Sequence, residues 1–388
     1  MEKKKKMVPK LRFKEFVDAG DWEQRKLGDT VQITMGQSPD GSTYSDVPSD
    51  YILVQGNADL YNGWVFPRVW TSQMTKKADV GDLIMSVRAP AGAMGKTAYN
   101  AVIGRGVAAI KGNEFIYQLL VKMDSDGYWK ALSCGSTFES LNSDNIKNAD
   151  VLIPDVAEQE KIGEYFANLD HLITLHQRKV DKLQQVKKAH LCEMFPENGK
   201  TKPKRRFKCF TDDWEQRKLG EVAEIVGGGT PSTAISEYWD GDIDWYAPAE
   251  ISEQIFVNSS QRKITTEGLN NSSAKILPVG TVLFTSRAGI GKTAILSQKS
   301  CTNQGFQSIV PHKDKLDSYF IFSRSEELKR YGETVGAGST FVEVSGKQMA
   351  DMDLMLPKNI TEQQFIGSYF KNLDHLITLH QHKQNNIE

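Results

Sequence analysis

Two short segments, Gly95-Lys-Thr97 and Gly291-Lys-Thr293, have the residue types with which phosphate-binding loops hold nucleotides. The complete nucleotide-binding loop also needs a glycine five positions before the second glycine, so that backbone N–H groups can surround the phosphates. Pro90 and Ser286 occupy those positions. The sequence therefore argues against nucleotide hydrolysis at either segment.

Both segments nevertheless follow a predicted strand and a glycine-rich turn, and an arginine precedes each of them. Glycine lets a backbone approach a ligand closely. Arginine can bind guanine through two hydrogen bonds, and lysine and threonine can contact phosphates. Aligned on their Gly-Lys-Thr sequences, the segments predict corresponding DNA contacts, although a tight structural loop with solvated charges is an open alternative. The residues predicted to contact DNA here are Arg88, Lys96, Thr97, Arg287, Lys292 and Thr293.

Two further groups of polar residues are candidates for DNA contact. Gln55 and Asn57 can each read adenine through paired hydrogen bonds, and a turn-forming role is the alternative for Asn57. Residues 200–208 carry six cations and no acid. This run predicts phosphate contacts, with a solvated linker as the alternative. The predicted phosphate-binding residues of the run are Lys204, Arg205 and Arg206.

The sequence contains no recognisable catalytic or metal-binding set. An adenine methyltransferase would need an Asn/Asp-Pro-Pro-aromatic motif and a glycine-rich cofactor loop, and the sequence has neither. Its four cysteines are scattered, without the spacing of a zinc site. The histidines of the pairs His171/His176 and His375/His380 are five residues apart. On a helix this spacing directs the rings about 140° apart, which disfavours a shared metal. We therefore predict a chain without a metal ion or catalytic centre.

The chain repeats itself. The segment Trp22–Gly28 returns unchanged as Trp214–Gly220, and Asn168–His176 returns unchanged as Asn372–His380, whereas the sequences between these segments differ. Identical junctions around different interiors predict two copies of one module that act on two different targets. Short strand patterns mixed with helical patterns predict that each module is α/β (α+β). The predicted modules span residues 1–154 and 200–357.

Each module is followed by a predicted helix, over residues 155–199 and 358–388. Apolar positions recur at alternating intervals of four and three residues, which is typical of a coiled coil. The first helix leads to the second module and the second helix follows that module, so the two helices must pair antiparallel if they pair. His176 and His380 are predicted to be polar register positions. The predicted seam consists of Phe166, Leu169, Ile173, His176, Val180 and Leu183 in the first helix and Phe370, Leu373, Ile377 and His380 in the second.

In their order and duplication, these features resemble the specificity (S) subunits of type I restriction–modification systems. The resemblance spans essentially the whole chain. The motifs that carry it are the repeated Trp-Glu-Gln-Arg-Lys-Leu-Gly, Gly228-Gly-Thr-Pro-Ser232, Tyr238–Trp245, and the helix starts Glu158–Ile162 and Glu362–Ile366.

The resemblance implies two target-recognition domains that read a bipartite site in double-stranded DNA, one half-site per domain. It also implies a non-catalytic subunit that recruits two modification subunits, which methylate adenine with S-adenosylmethionine, and restriction subunits. S-adenosylmethionine, ATP and Mg²⁺ are then expected in the partner subunits and no cofactor in this chain. The alternative is a non-catalytic coiled-coil adaptor that binds protein partners.

No apolar run reaches the roughly 20 residues of a membrane span, and the basic amino terminus lacks the apolar region of a signal peptide. We therefore predict a cytoplasmic protein.

The two copies differ at two places. Gly36 stands alone in the first copy, where the second has the run Gly227–Gly229. We therefore expect differently shaped loops that read different bases. The first predicted helix is also longer than the second, which leads to the expectation that its distal seam lacks a partner.

Overall fold

The computed structural model describes residues 7–133, 140–197, 199–287, 289–337 and 343–387. The chain divides into two compact units, Met1–Thr174 and Leu175–Glu388. The division falls inside the helix Val156–Glu193, so both units contain a part of this helix.

The first unit consists of short strands and a few helices around an apolar core. Its strands are β1 (Glu23–Lys26), β2 (Gln32–Met35), β3 (Tyr44–Ser45), β4 (Tyr51–Val54), β5 (Leu60–Tyr61), β6 (Trp64–Val65), β7 (Val69–Thr71), β8 (Lys77–Ala78), β9 (Leu83–Ser86), β10 (Met94–Lys96), β11 (Ala101–Ile103), β12 (Val107–Lys111) and β13 (Asp150–Ile153). Its helices are α1 (Leu27–Thr30), α2 (Glu114–Ser125), α3 (Tyr128–Ser133), α4 (Ser143–Lys147) and the first part of α5 (Val156–Glu193).

Two mixed sheets form the body of the first unit, in the orders β2-β12-β9-β10-β6-β5 and β3-β7-β4-β11-β8. Leu83 and Met85 of β9 face Phe115 and Leu120 of α2 in the core, together with the fully buried Trp129. All four residues of β9 are buried, because both faces of the sheet are covered at this strand.

The second unit repeats the plan. Its strands are β14 (Glu215–Lys218), β15 (Ala223–Gly227), β16 (Trp239–Tyr246), β17 (Phe256–Val257), β18 (Arg262–Ile264), β19 (Val282–Phe284), β20 (Thr293–Leu296), β21 (Cys301–Thr302), β22 (Gln307–Pro311) and β23 (Asp353–Leu356). Its other helices are α6 (Leu219–Val222), α7 (Thr266–Asn270), α8 (Ser318–Phe322), α9 (Ser325–Gly336), α10 (Gly346–Ala350) and α11 (Ile360–Asn385). The sheets run β15-β22-β19-β20-β17 and β18-β16-β21. The α/β (α+β) prediction is confirmed.

The repeated Trp-Glu-Gln-Arg-Lys-Leu-Gly segment closes each module. In the first unit it forms β1, which pairs antiparallel with the exit strand β13, and in the second it forms β14, which pairs with β23. Leu27 and Leu219 follow these strands and are fully buried. The segment has the same role in both copies, because it pairs the first strand of each module with the last one.

A buried ion pair reinforces each joint. Arg12 binds Glu158 through two hydrogen bonds, of 2.7 and 2.6 Å, and Arg206 binds Glu362 through two, of 2.7 and 2.8 Å. Both glutamates lie in the first turn of a long helix and are almost fully buried. We call these pairs the clamps. They anchor the basic segment ahead of each module to the helix behind it.

The clamp overturns the predicted phosphate role of Arg206, because its guanidinium is occupied by a buried carboxylate. Lys204 and Arg205 remain exposed, but they pair with Glu197 and Glu193, the latter at 2.6 Å. Acids that are close in space therefore neutralise much of the basic run of residues 200–208, and the phosphate contacts of the exposed Lys204 and Arg205 stay a prediction.

Within the second unit, the distal part of α5 pairs antiparallel with α11. His176 Nδ1 lies 2.9 Å from His380 Nδ1, and Lys187 lies 2.5 Å from Asp374 further along α5. The predicted antiparallel pairing is confirmed there, and the histidines face each other at a register position. The buried seam residues of this part are Val180, Phe370, Leu373 and Ile377, with Leu183 packed against the same core.

The expectation that the distal seam of the first helix lacks a partner was wrong. Antiparallel pairing brings the distal half of α5 against the proximal half of α11, where Phe370 is fully buried. Phe166, by contrast, is 42% exposed, and Leu169 and Ile173 are half-buried. The predicted seam is therefore buried at its distal positions and only partly covered at its proximal ones.

Candidate nucleic-acid interface

Loops that follow the ends of β2, β4, β9 and β11 meet at one place in the first unit. Their backbones are joined by hydrogen bonds of 2.8 Å from Gln37 N to Ile103 O, from Gly104 N to Val54 O, and from Val87 N to Gly106 O. We call this set the first loop cluster, which consists of residues 36–38, 55–57, 87–88 and 104–106.

Glycines permit this close approach of backbones. A Cβ atom on Gly36 would lie 2.1 Å from the carbonyl oxygen of Gly104, and one on Gly106 would lie 1.9 Å from that of Gln55. Real Cβ atoms do not approach oxygen atoms this closely, so both positions require glycine. The loops therefore form a rigid base with little freedom to adjust.

The second unit has an equivalent set of loops, residues 228–230, 246–248, 286–287 and 303–305, which we call the second loop cluster. Gly229 N donates to Thr302 O at 2.8 Å, and Ser286 N donates to Gly305 O at 2.8 Å. A Cβ atom on Gly228 would lie 1.9 Å from the carbonyl oxygen of Asn303. Gly228 thus has the position and the packing role of Gly36, so the base of the two loops is the same, contrary to the expectation of differently shaped loops.

The side chains of the first loop cluster point to a polar ligand. Arg88 and Arg105 are exposed, and neither guanidinium has a hydrogen-bond or ion-pair partner within the described part of the chain. Gln55 and Asn57 are half-buried, and their side-chain amides likewise make no hydrogen bond to the described residues. Two cations and two amides are thus displayed on a fixed base.

The side chains of the second loop cluster are more constrained. Arg287 forms an ion pair of 2.8 Å with Glu343, and both side chains are partly exposed. Gln304 is exposed, and its Oε1 accepts a hydrogen bond from the hydroxyl of Thr230. The backbone hydrogen bonds of the residues on either side match Gln304 with Arg105 of the first loop cluster.

Tyr246 belongs to the second loop cluster, but its side chain is too deeply buried to contact a ligand. The side chain is 1% exposed, and burial, with Asp244 and Glu250 adding to the effect, raises the pKa of Tyr246 to about 12. Backbone hydrogen bonds to Gly104 and Asn303 match Tyr246 with Val54, so the counterpart of Gln55 in the second loop cluster is Ala247.

The two Gly-Lys-Thr segments do not occupy equivalent positions. Gly92 N donates to Ser86 O in the first unit, and Gly291 N donates to Thr285 O in the second. Gly291 therefore corresponds to Gly92 and not to Gly95. The alignment on identical letters is displaced by three residues, because the real correspondence runs from Arg88-Ala-Pro-Ala-Gly92 to Arg287-Ala-Gly-Ile-Gly291.

The packing of Lys96 and Thr97 contradicts the DNA contacts that were predicted for these two residues. The Lys96 ammonium lies 3.0 Å from both carboxylate oxygens of Glu114 and over the ring of Tyr117 at 4.4 Å. Thr97 is 1% exposed, and its hydroxyl donates to Tyr99 O at 2.7 Å. Both side chains hold the fold together and neither is free to contact a phosphate.

Lys292 and Thr293 lie beside a cavity of about 630 Å³ in the second unit. Lys292 is exposed, and the hydroxyl of Thr293 donates a hydrogen bond of 3.0 Å to the hydroxyl of Ser325. The cavity is lined by acids as well as bases, among them Glu326 and Lys329. Mixed charge does not favour an anionic ligand there, so the phosphate role of Lys292 and Thr293 stays a prediction without support from its surroundings.

Sequence reasoning missed Arg105 and Gln304. A detectable signal exists for the first, since Arg105 stands between two glycines in a turn that joins two apolar strands. The second has no such signal, because Gln304 becomes informative only when the backbone shows that it takes the place of Arg105.

Across the described ranges, no group of three or more His, Cys, Asp or Glu residues is arranged to hold a metal ion. Among those same residues, no helix is both long and apolar enough to span a bilayer.

Comparisons with known proteins give a consistent result. The family model of the type I restriction modification DNA specificity domain matches residues 19–185 and 211–388. The MjaIX specificity subunit of a type I restriction enzyme from Methanocaldococcus jannaschii is 38% identical over 180 residues, which are 45% of this chain and 41% of that protein. The HindI specificity subunit from Haemophilus influenzae is 21% identical over 399 residues, covering 82% of this chain and 86% of that protein.

The solved structures agree in fold. The S subunit of a type I restriction–modification system from M. genitalium superposes with a TM-score of 0.69 at 13% identity, over 98% of this chain and 96% of that one. The alignments with the MjaIX and MjaX subunits span only 41% and 58% of those relatives. Because the family model matches both copies, the chain belongs to the family of type I restriction–modification DNA specificity domains.

Proposed function

We propose that this chain is the non-catalytic, sequence-specific DNA-binding subunit of a type I restriction–modification complex. Each unit reads one half of a bipartite target in double-stranded DNA. The observation that carries the proposal is the pair of loop clusters, which share a glycine-packed backbone and display different polar side chains. Two domains that recognise different half-sites can share one loop backbone, but they need different side chains on it.

The chemistry of the loop clusters suits base recognition. Sequence is read by hydrogen bonds to base edges, which arginine and amide side chains make in pairs. A rigid base lowers the entropic cost of ordering such side chains on binding. The chain has a net charge of −1, and we infer that partner subunits supply a large share of the phosphate contacts. In the first loop cluster, the side chains of Arg88, Arg105, Gln55 and Asn57 make no hydrogen bond or ion pair with the described residues that would compete with DNA.

Partner binding belongs to the same proposal. The relatives carry the name specificity subunit, and we infer that this chain recruits two modification subunits and restriction subunits in a cytoplasmic complex. S-adenosylmethionine, ATP and Mg²⁺ act in those partners. Along α5, Phe166, Leu172 and Leu175 are 42%, 41% and 52% exposed, and such apolar exposure favours a protein partner. The same exposure is what an adaptor without DNA specificity would show, so the adaptor is the competing function.

A binding selection separates the two functions. The chain would be assembled with the modification subunits of its own host and mixed with a pool of random duplexes. We expect the recovered DNA to share two fixed half-sites around a gap of free sequence, and the logarithm of the affinity to fall linearly with that of the salt concentration. A complex that assembles but recovers no common sequence would establish the adaptor instead.

A further inference from the structure

Arg105 has a special place in the first loop cluster. It lies at the tip of the turn between β11 and β12, and its neighbours Gly104 and Gly106 pack their backbones against the loop that contains Gln55. The backbone N–H of Arg105 donates to Ser38 Oγ at 3.1 Å. The turn is therefore fixed on both sides, and Arg105 is the only one of its three residues with a side chain to present.

Gln304 occupies the same place in the second loop cluster. Its turn follows β21 as that of Arg105 follows β11, and Thr230, the counterpart of Ser38, donates its hydroxyl hydrogen to Gln304 Oε1. The amide keeps its Nε2 donors and one lone pair of Oε1 for a ligand. Both side chains are exposed. One backbone position thus presents arginine in one unit and glutamine in the other.

The type of this difference is informative. Several positions that join each module keep their residue in both units, as Arg12 and Arg206 of the clamps and Gly36 and Gly228 of the loops do. A phosphate contact would also favour a cation in both units, since the phosphate backbone is the same in every sequence. Arginine and glutamine instead match different bases: arginine binds O6 and N7 of guanine, and glutamine binds N6 and N7 of adenine.

We propose that Arg105 reads a guanine in the half-site of the first unit and that Gln304 reads an adenine in the half-site of the second. This assignment rests on the proposed function. It makes the single position shared by residues 105 and 304 a specificity determinant of the protein.

The test exchanges the two side chains in the assembled complex. The variants are Arg105→Gln, Gln304→Arg and, as a control, Arg25→Gln, which changes an exposed arginine of β1 outside the loop clusters. Binding would be selected from the random duplex pool and then measured on duplexes that differ at one base pair. We expect Arg105→Gln to lower the preference for guanine by about 5- to 150-fold at one position of one half-site. Adenine should replace guanine there, with the other half-site unchanged, and Gln304→Arg should give the converse change.

Several results would overturn the assignment. An equal loss of affinity for all sequences would make Arg105 a phosphate contact, and an unchanged preference would mean that its side chain reads no base. If Arg105→Gln lowers the unfolding midpoint, Arg105→Ala serves instead, and the same loss of guanine preference is expected. A wild-type complex that selects no bipartite site would refute the proposed function itself. A wild-type complex that selects one, beside an Arg105→Gln complex that selects the same one, would refute only this assignment.

Discussion

The two loop clusters have nearly the same backbone and different freedom in their side chains. In the first, Arg88 and Arg105 have no partner within the described residues. In the second, Arg287 is paired with Glu343 and Gln304 is bound by Thr230. The backbone contacts are fixed by glycines, so change is confined to the side chains that those turns display. We infer that recognition can diverge in this fold at a few positions without any cost to the loops beneath.

The clamps, in contrast, have the same residues in both units. Substitutions in the clamps should have larger effects than substitutions in the loop clusters. Glu362→Ala would leave the guanidinium of Arg206 buried without its carboxylate, and Glu362 also accepts a hydrogen bond of 3.2 Å from Trp214. We expect a loss of about 3–5 kcal/mol in the free energy of unfolding of the second unit, measured by urea denaturation. Glu158→Ala should destabilise the first unit to a similar extent.

The matched control for the clamp is Glu221→Ala, which removes the exposed partner of Arg217. It should cost no more than about 1 kcal/mol, because exposed ion pairs contribute little. If Glu362→Ala and Glu221→Ala proved equally mild, the clamps would not be what joins the modules to their helices.

The next largest effects are the losses of DNA affinity expected when Arg88 or Arg287 is replaced, and these two losses should differ. Arg88→Ala should lower the affinity of the complex for its target by about 1–3 kcal/mol, at the half-site of the first unit alone. Arg287→Ala should have a smaller effect at the half-site of the second, because Arg287 must give up its pair with Glu343 before it can contact DNA. Measuring both variants on duplexes altered in one half-site at a time checks this order, and a larger effect for Arg287→Ala would reverse the comparison.

A smaller effect is expected from freeing Arg287. Glu343→Gln removes the competing carboxylate, so DNA affinity at the second half-site should rise by about 0.2–1 kcal/mol, the usual range for an exposed ion pair. Arg287→Ala combined with Glu343→Gln should cancel the gain. A gain that persists in the double variant would show that Glu343 acts by repelling phosphates and not through Arg287.

The smallest effect concerns the histidine pair between α5 and α11. Partial burial, then the neighbouring His176, Lys383 and Lys179, lower the pKa of His380 below its ordinary value of 6.5. The unfolded chain therefore takes up a proton at a higher pH than the folded one, and the stability of the helix pair should fall as the pH drops below about 6.5. Hydrogen exchange of α11 between pH of about 7.5 and 5.5 would measure this. His380→Gln should flatten the dependence, and the exposed His375→Gln should leave it intact; equal behaviour of the two variants would remove His380 from the explanation.

The sequence predicted those parts of the structure that depend on local pattern or on repetition. Apolar spacing predicted the helices and the register positions of His176 and His380 on their seam, and the repeated segments predicted two modules with identical junctions. The pairing of Arg206 with Glu362 could not be predicted, since 156 residues separate them in the chain. The alignment of the two Gly-Lys-Thr segments was wrong because their identical residues lie at different positions in the hydrogen-bonded strands. Arg105 escaped notice because its counterpart is a glutamine, so no repeat marks it.

The central claim is that each unit reads its own half-site through its own loop cluster. Replacing residues 30–150 by the corresponding segment of another member of the family tests it most directly, with methylated adenines mapped across a genome after assembly with the modification subunits. We predict that one half of the bipartite site changes and the other stays as in the parent. A hybrid that changed both halves, or that kept the parental site, would contradict the claim.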